Sequence, residues 1–284
     1  MRSHPVLLAA LALAACATVE APSPNMDDAR SLAAAESAFA AQSMREDMRA
    51  AFLANFAPDG VMTRGAWVNA REFLTPRAAP PIILDWRPVF TEFAASGDMG
   101  LSTGPSKITS KANPSQYGYG QYVSIWKREP GGPWRVAVDL GIAHESPVFW
   151  DSPLVTVAVA SPPAAPGDTI EAAERRFADD ARAEGPRAAY AKHGSSSLRL
   201  YRPGLAPMVG KDAALAWSGL ATEQRTWTVE RSEAARSNDF GYARGSFAAV
   251  GPFSGWYLRA WHREAGAWRI AMDVTNDKPP PPRQ

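Results

Sequence analysis

The sequence predicts an α+β fold made twice in tandem, each copy with three N-terminal helices covering one face of a curved antiparallel sheet. Three observations predict it. A hairpin pattern is written twice: Tyr122, Trp126, Lys127, Arg128, a glycine turn, then Trp134, Arg135 and Asp139, and again Tyr257, Trp261, His262, Arg263, a glycine turn, then Trp268, Arg269 and Asp273. Helical spacing precedes strand alternation in both halves. The chain has 284 residues, of which 46% are hydrophobic and 21% charged, enough for two ordinary globular cores.

In the first half, Asn25 and Asp28 mark a helix start, and Leu32, Glu36, Phe39 and Ser43 trace one helical face. Ser43 and Glu46 form a capping-box pattern for a second helix carrying Met48, Phe52 and Phe56, which Pro58, Asp59 and Gly60 end in a turn. Val61 to Thr63 reads as a short strand, and Asn69 with Glu72 caps a third helix holding Phe73 and Leu74. From Ile82 the period becomes two: one strand to Phe93 around Trp86, a Gly97/Asp98 turn, a strand from Met99 to Thr103, and the closing hairpin. Lys107 to Tyr119 reads as a long polar loop.

The second half repeats this order. Asp168 and Glu171 cap a helix bearing Ile170, Glu174 and Phe177, Pro186 starts another with Tyr190, and Lys211 to Leu215 matches the short third helix. Trp227 opens the sheet. Ser96, Asp98 and Trp86 stand at one common spacing from Ser237, Asp239 and Trp227, as a tandem duplication requires. These patterns divide the chain into residues 26–160, a Pro-rich linker at 161–167, residues 168–277, and a Pro-rich tail at 278–284.

The N-terminus reads as a secretory signal over residues 1–15, with Arg2 before a short apolar run from Val6 to Ala12. Leu13, Ala14, Ala15 and Cys16 resemble a bacterial lipobox, so Cys16, the sole cysteine, is expected to carry lipid, with residues 16–25 as its tether. This places the protein in the bacterial cell envelope, facing the periplasm, with the membrane as a partner through the anchor. Without the signal, basic and acidic side chains balance, which excludes an electrostatic footprint for nucleic acid. His4, His144, His193 and His262 lack metal-ligand spacing, and no nucleotide fingerprint is present, so neither metal nor cofactor is expected.

The order of elements, the Asp59/Gly60 and Gly97/Asp98 turns, and the hairpin ending in aspartate resemble the nuclear transport factor 2-like superfamily, specifically its SnoaL-like bacterial branch of unknown function. The resemblance covers roughly 26–150 and 168–277. It implies cone-shaped domains, each enclosing a pocket, and pairing of the two domains through their sheets into a pseudo-dimer. The first copy keeps Asp59/Gly60 where the second has Ser195 to Ser197, so the two pockets are expected to differ.

Superfamily enzymes of the ketosteroid isomerase and polyketide cyclase type use a carboxylate in an apolar cone as general base. Asp59, Asp139 and Asp273 are the catalytic candidates that this implies. Strand alternation, however, puts Asp139 on one face with Arg135, and Asp273 with Arg269, as a polar or exposed side would have them. Asp59, Asp98 and Asp239 adjoin turns, where short acids bond the local backbone. Pocket candidates are Tyr117, Tyr119, Tyr122, Trp86, Trp227 and Tyr257. The expected function is binding of a small apolar ligand or a partner without turnover. Its alternatives are acid/base isomerase, cyclase or hydrolase chemistry in one domain, and a structural pseudo-dimer scaffold.

Overall fold

The computed structural model describes residues 26–159, 167–249 and 254–277. The signal segment, Cys16 and its tether, the C-terminal tail and nearly all of the Pro-rich linker lie outside them. The fold is α+β, with two sheets and their covering helices.

The first half comprises α1 (Met26–Arg45), α2 (Met48–Asn55), β1 (Phe56–Thr63), β2 (Trp67–Asn69), α3 (Ala70–Leu74), β3 (Ile82–Trp86), β4 (Phe90–Phe93), β5 (Met99–Ser110), β6 (Tyr117–Lys127), β7 (Arg135–His144) and β8 (Val155–Ala158). The second has α4 (Ile170–Glu184), α5 (Pro186–His193), β9 (Gly194–Tyr201), β10 (Met208–Val209), α6 (Lys211–Ala216), a 3₁₀ turn, β11 (Arg225–Ala234), β12 (Phe240–Ala249), β13 (Ser254–Glu264) and β14 (Ala267–Asp277). The first sheet runs β2-β1-β7-β6-β5-β4-β8 with β3 also on β5, and the second runs β10-β9-β14-β13-β12-β11. In each, the opening strand returns parallel to the closing one, β1 on β7 and β9 on β14.

Helices cover one face of each sheet because their apolar stripes match it. Phe39 of α1 and Phe52 of α2 meet edge to face at 5.1 Å, and Phe177 of α4 meets Tyr190 of α5 at 5.0 Å. Burying each such ring contributes about 1.5–3 kcal/mol. The opposite faces of the two sheets pack on one another through one apolar cluster that includes Leu101, Val123 and Leu140 from the first and Phe240, Leu258 and Met272 from the second. The molecule is thus layered helix, sheet, sheet, helix.

The Ser-x-Asp turn that the sequence has in both halves sits at this junction. Ser96 Oγ lies 2.9 Å from Ser237 Oγ, and each backbone N–H donates to the other's hydroxyl, at 3.2 and 3.1 Å. Asp239 accepts the N–H of Ala95 at 3.1 Å, and Asp98 that of Arg236 at 3.3 Å. These aspartates therefore bond the other half as well as their own turn, and corresponding positions touch as in a two-fold contact.

Several local expectations are corrected. Ser43 caps nothing: it stays inside α1 and donates to Leu84 O at 2.9 Å, while Asp47 caps α2 by accepting from Ala50 N at 2.8 Å. Phe56 leaves the helix to begin β1, and Asp59/Gly60 form an irregularity within that strand, where its register on β7 shifts. Ile82 to Phe93 divides into two strands around Pro88, which has no N–H for a ladder. Met99 to Thr103 is only the start of β5, and most of the supposed Lys107 to Tyr119 loop continues β5 and β6 as paired strands, so the loop between them is short. Thr169 caps α4, leaving Asp168 to accept from Arg263 Nη1 at 2.9 Å.

Candidate functional site

The site begins with one extra residue in a strand. Ile125 pairs with Val138 but its neighbour Trp126 pairs with Val136, so Ala137 bulges out of β7. Ala271 does the same in β14, between the pairs Ala260–Met272 and Trp261–Ile270. A bulge exchanges the faces of everything beyond it. Trp134 and Val136 accordingly pack under the helices, while Val138 and Leu140 pack between the sheets. Asp139 and Asp273 thereby turn toward the helices, away from the faces of Arg135 and Arg269 on which alternation had placed them.

In the first half this puts Asp139 in a cavity of about 340 Å³ between the helices and the sheet. Phe39, Phe52, Leu84, Trp86, Ile108 and Tyr122 supply apolar wall, Ser124 and Asp139 a polar patch, and Tyr119 and Arg64 also line it. Ser124, directly across the ladder, donates its hydroxyl to Asp139 Oδ2 at 2.9 Å. Burial raises the Asp139 carboxyl to about 6, against the opposing pull of Ser124 and of Arg64. Arg64 makes no ion pair with it among the described residues and instead donates to Thr63 O at 2.8 Å. Asn276 of the second half completes the wall, donating to Gly141 O at 2.8 Å.

Behind the rings lies a second acid. Glu36 is wholly buried and accepts the indole N–H of Trp86 and of Trp126, both at 2.7 Å. Burial outweighs these two donors and lifts its carboxyl to about 7. Tyr122 hydrogen-bonds Ser102 at 2.9 Å, and burial, reinforced by Glu36, pushes its phenol well above the ordinary value.

The second half has the same frame with a different occupant. Glu174 accepts the indole N–H of Trp261 at 2.7 Å, as Glu36 does from Trp126. Where Ser124 faces Asp139, Arg259 faces Asp273. The Arg259 side chain enters the space beneath the helices, donating to Asp273 at 2.6 Å and Glu174 at 2.6 Å. Its guanidinium lies 4.2, 4.6 and 5.0 Å from the rings of Phe177, Trp227 and Tyr257. Arg202 donates to Asp273 as well, at 2.8 Å. Burial alone would raise the Asp273 carboxyl, but Arg259 and then Arg202 outweigh it and hold it at about 2. Asp273 is thus a fully paired anion.

The residues singled out in the sequence separate accordingly. Trp86, Tyr119, Tyr122 and Asp139 converge on the first cavity. Tyr117 stands exposed at its edge, 5.5 Å from the Tyr119 ring, with Lys107 over both. Tyr257 is sealed in the second core, its hydroxyl 3.3 Å from Glu174. Trp227 packs on that core and borders a separate cleft with Arg182 and Arg225. Asp59 is exposed beside a surface groove away from both carboxylate pairs. Sequence reasoning missed Glu36 and Glu174 as site residues. The signal was an acid on the buried helical stripe, between Leu32 and Phe39 and again between Ile170 and Phe177. No cluster of metal-ligating side chains occurs among the described residues.

No family model and no curated protein matches the chain. Solved structures are similar to parts of it. A ketosteroid isomerase-like protein from Erwinia carotovora atroseptica is 18% identical, covering 43% of this chain and 98% of its own, with a TM-score of 0.33. An NTF2-like protein of unknown function from Shewanella oneidensis is 18% identical over 39% of this chain and 98% of its own, TM-score 0.33. A conserved protein from Planctomyces limnophilus is 16% identical over 42% of this chain and 99% of its own, TM-score 0.33.

Proposed function

We propose that the first half is a receptor for one small, largely apolar molecule with a polar group turned to Asp139 and Ser124, and that the second half supports it. The observation that carries this is the contrast at one ladder position. Ser124 leaves a cavity in front of its aspartate, whereas Arg259 fills the same place in front of its own. A mostly apolar enclosure with a few convergent polar groups is the usual form of a small-molecule site. Ser124→Arg provides the test. It rebuilds in the first half the plug of the second and should abolish binding of small aromatic probes measured by isothermal titration. Unchanged binding by the folded variant would refute the receptor.

A second reading is acid/base turnover, favoured by the carboxyl of Asp139 at about 6, where a general base works well near neutral pH. It predicts exchange of the α-protons of a bound cyclic ketone, followed by NMR in heavy water, that disappears in Asp139→Asn. Equal exchange in both proteins removes this reading.

The sequence further supports a nuclear transport factor 2-like, SnoaL-like pair of domains held at the envelope membrane by lipid on Cys16 and facing the periplasm. Cys16→Ser should lose metabolic labelling with palmitate, and retained label refutes the anchor.

A further inference from the structure

The second half holds, in its own chain, a template for what the first half lacks. Its cage is two carboxylates, Glu174 and Asp273, with three rings, Phe177, Trp227 and Tyr257, around one guanidinium. Around the first cavity stand the corresponding acids, Glu36 and Asp139, and the corresponding rings, Phe39, Trp86 and Tyr122, with Ser124 in place of the arginine. Charge completes the comparison. In the second half three arginines, Arg202, Arg225 and Arg259, are paired with three acids, Glu174, Glu223 and Asp273. Among the residues that line the first cavity, Asp139 stands near Arg64, which turns to Thr63 O and makes no ion pair with it, so no guanidinium occupies the place that Arg259 fills.

We propose that the ligand of the first cavity carries a planar cation of guanidinium or amidinium type on an apolar body, its N–H groups donating to Asp139 and its face against Trp86, Phe39 and Tyr122. This rests on the receptor reading above. Planar cations suit such a place: they donate to a carboxylate in a fixed fork and lie favourably on ring faces. Glu36 stands behind Trp86, whose indole N–H it accepts, and so fixes the ring on which the cation lies. The difference in carboxyl behaviour agrees: Asp139 is lifted to about 6 with no cation bonded to it, and Asp273 is held at about 2 with the arginines in place.

The experiment is isothermal titration of the intact protein with benzamidinium and with benzamide, which share shape and differ in charge. Benzamidinium is expected to bind at least tenfold tighter, a gap that Asp139→Asn erases, while Ser124→Arg abolishes binding of both probes. Thermal melts confirm that each variant is folded, and the benzamidinium to benzamide ratio on the unaltered protein stands without any variant. Equal binding of the two probes overturns the cation and leaves the receptor standing. Binding of neither overturns both. A preference for benzamidinium that survives in folded Asp139→Asn places the cation elsewhere and overturns the assignment.

Discussion

Asp139 is kept at a cost, since a partly buried acid with no cation bonded to it is less stable charged than it is in water. Its folded carboxyl is raised from 3.8 to about 6, so the native state loses stability as pH climbs between those values and recovers none above them. Asp139→Asn keeps an acceptor for Ser124 and avoids this loss. It should therefore be more stable than the unaltered protein by about 1–2 kcal/mol at pH 8, after screening by solvent, and equal to it near pH 3.5. Urea denaturation at the two pH values checks both. Arg259 is the opposite case: Arg259→Met strands Glu174, leaves Asp273 with Arg202 alone, and should cost about 3–5 kcal/mol in the same assay. Neither role was readable from one residue at a time. Glu36 and Glu174 sat in plain view on apolar helical stripes, yet only the fold shows the two indoles that receive Glu36, or the arginine that pairs with Glu174.

Most elements were legible, because helix caps, helical periods and turn residues are local signals. Asn69 caps α3 by accepting from Glu72 N at 3.0 Å, and Pro186 opens α5, as the residues require. The bulges at Ala137 and Ala271 were not legible, since alanine in a strand carries no mark of an extra residue. Missing them reversed the faces of Asp139 and Asp273, the two positions on which the site depends. The irregularity in β1 lies against the first bulge. A Cβ on Gly60 would stand 2.5 Å from Val136 O, a backbone atom with no freedom to retreat. Gly60→Ala should accordingly destabilise by about 1–3 kcal/mol, read as a lower urea midpoint at unchanged slope.

Across the whole molecule the two sheets are joined by apolar packing and a few polar ties. Trp67 donates its indole N–H to Gly245 O at 2.9 Å, and His262 is bonded to buried Glu92. Burial opposes charge on His262, but Glu92 prevails and holds the imidazole above its ordinary value of 6.5. Its contribution is thus complete below pH 6.5 and disappears as pH rises through the raised value. The melting temperature should fall between pH 6.5 and 9, and fall less in His262→Gln. A histidine whose profile matches that variant would refute the tie. The common spacing of Trp86, Ser96 and Asp98 from Trp227, Ser237 and Asp239 was legible, but which residues meet across the sheets was not, because no local pattern records a contact between distant strands.

Asn276 gives the junction a further meaning. It reaches from the second half to the cavity wall of the first, so the complete cavity requires both halves in place. Separate chains meeting through these faces would come apart on dilution and open the cavity. Within one chain each half meets the other at an effective concentration on the order of millimolar, however scarce the protein is. The cavity wall is then as complete in a dilute solution of the protein as in a concentrated one.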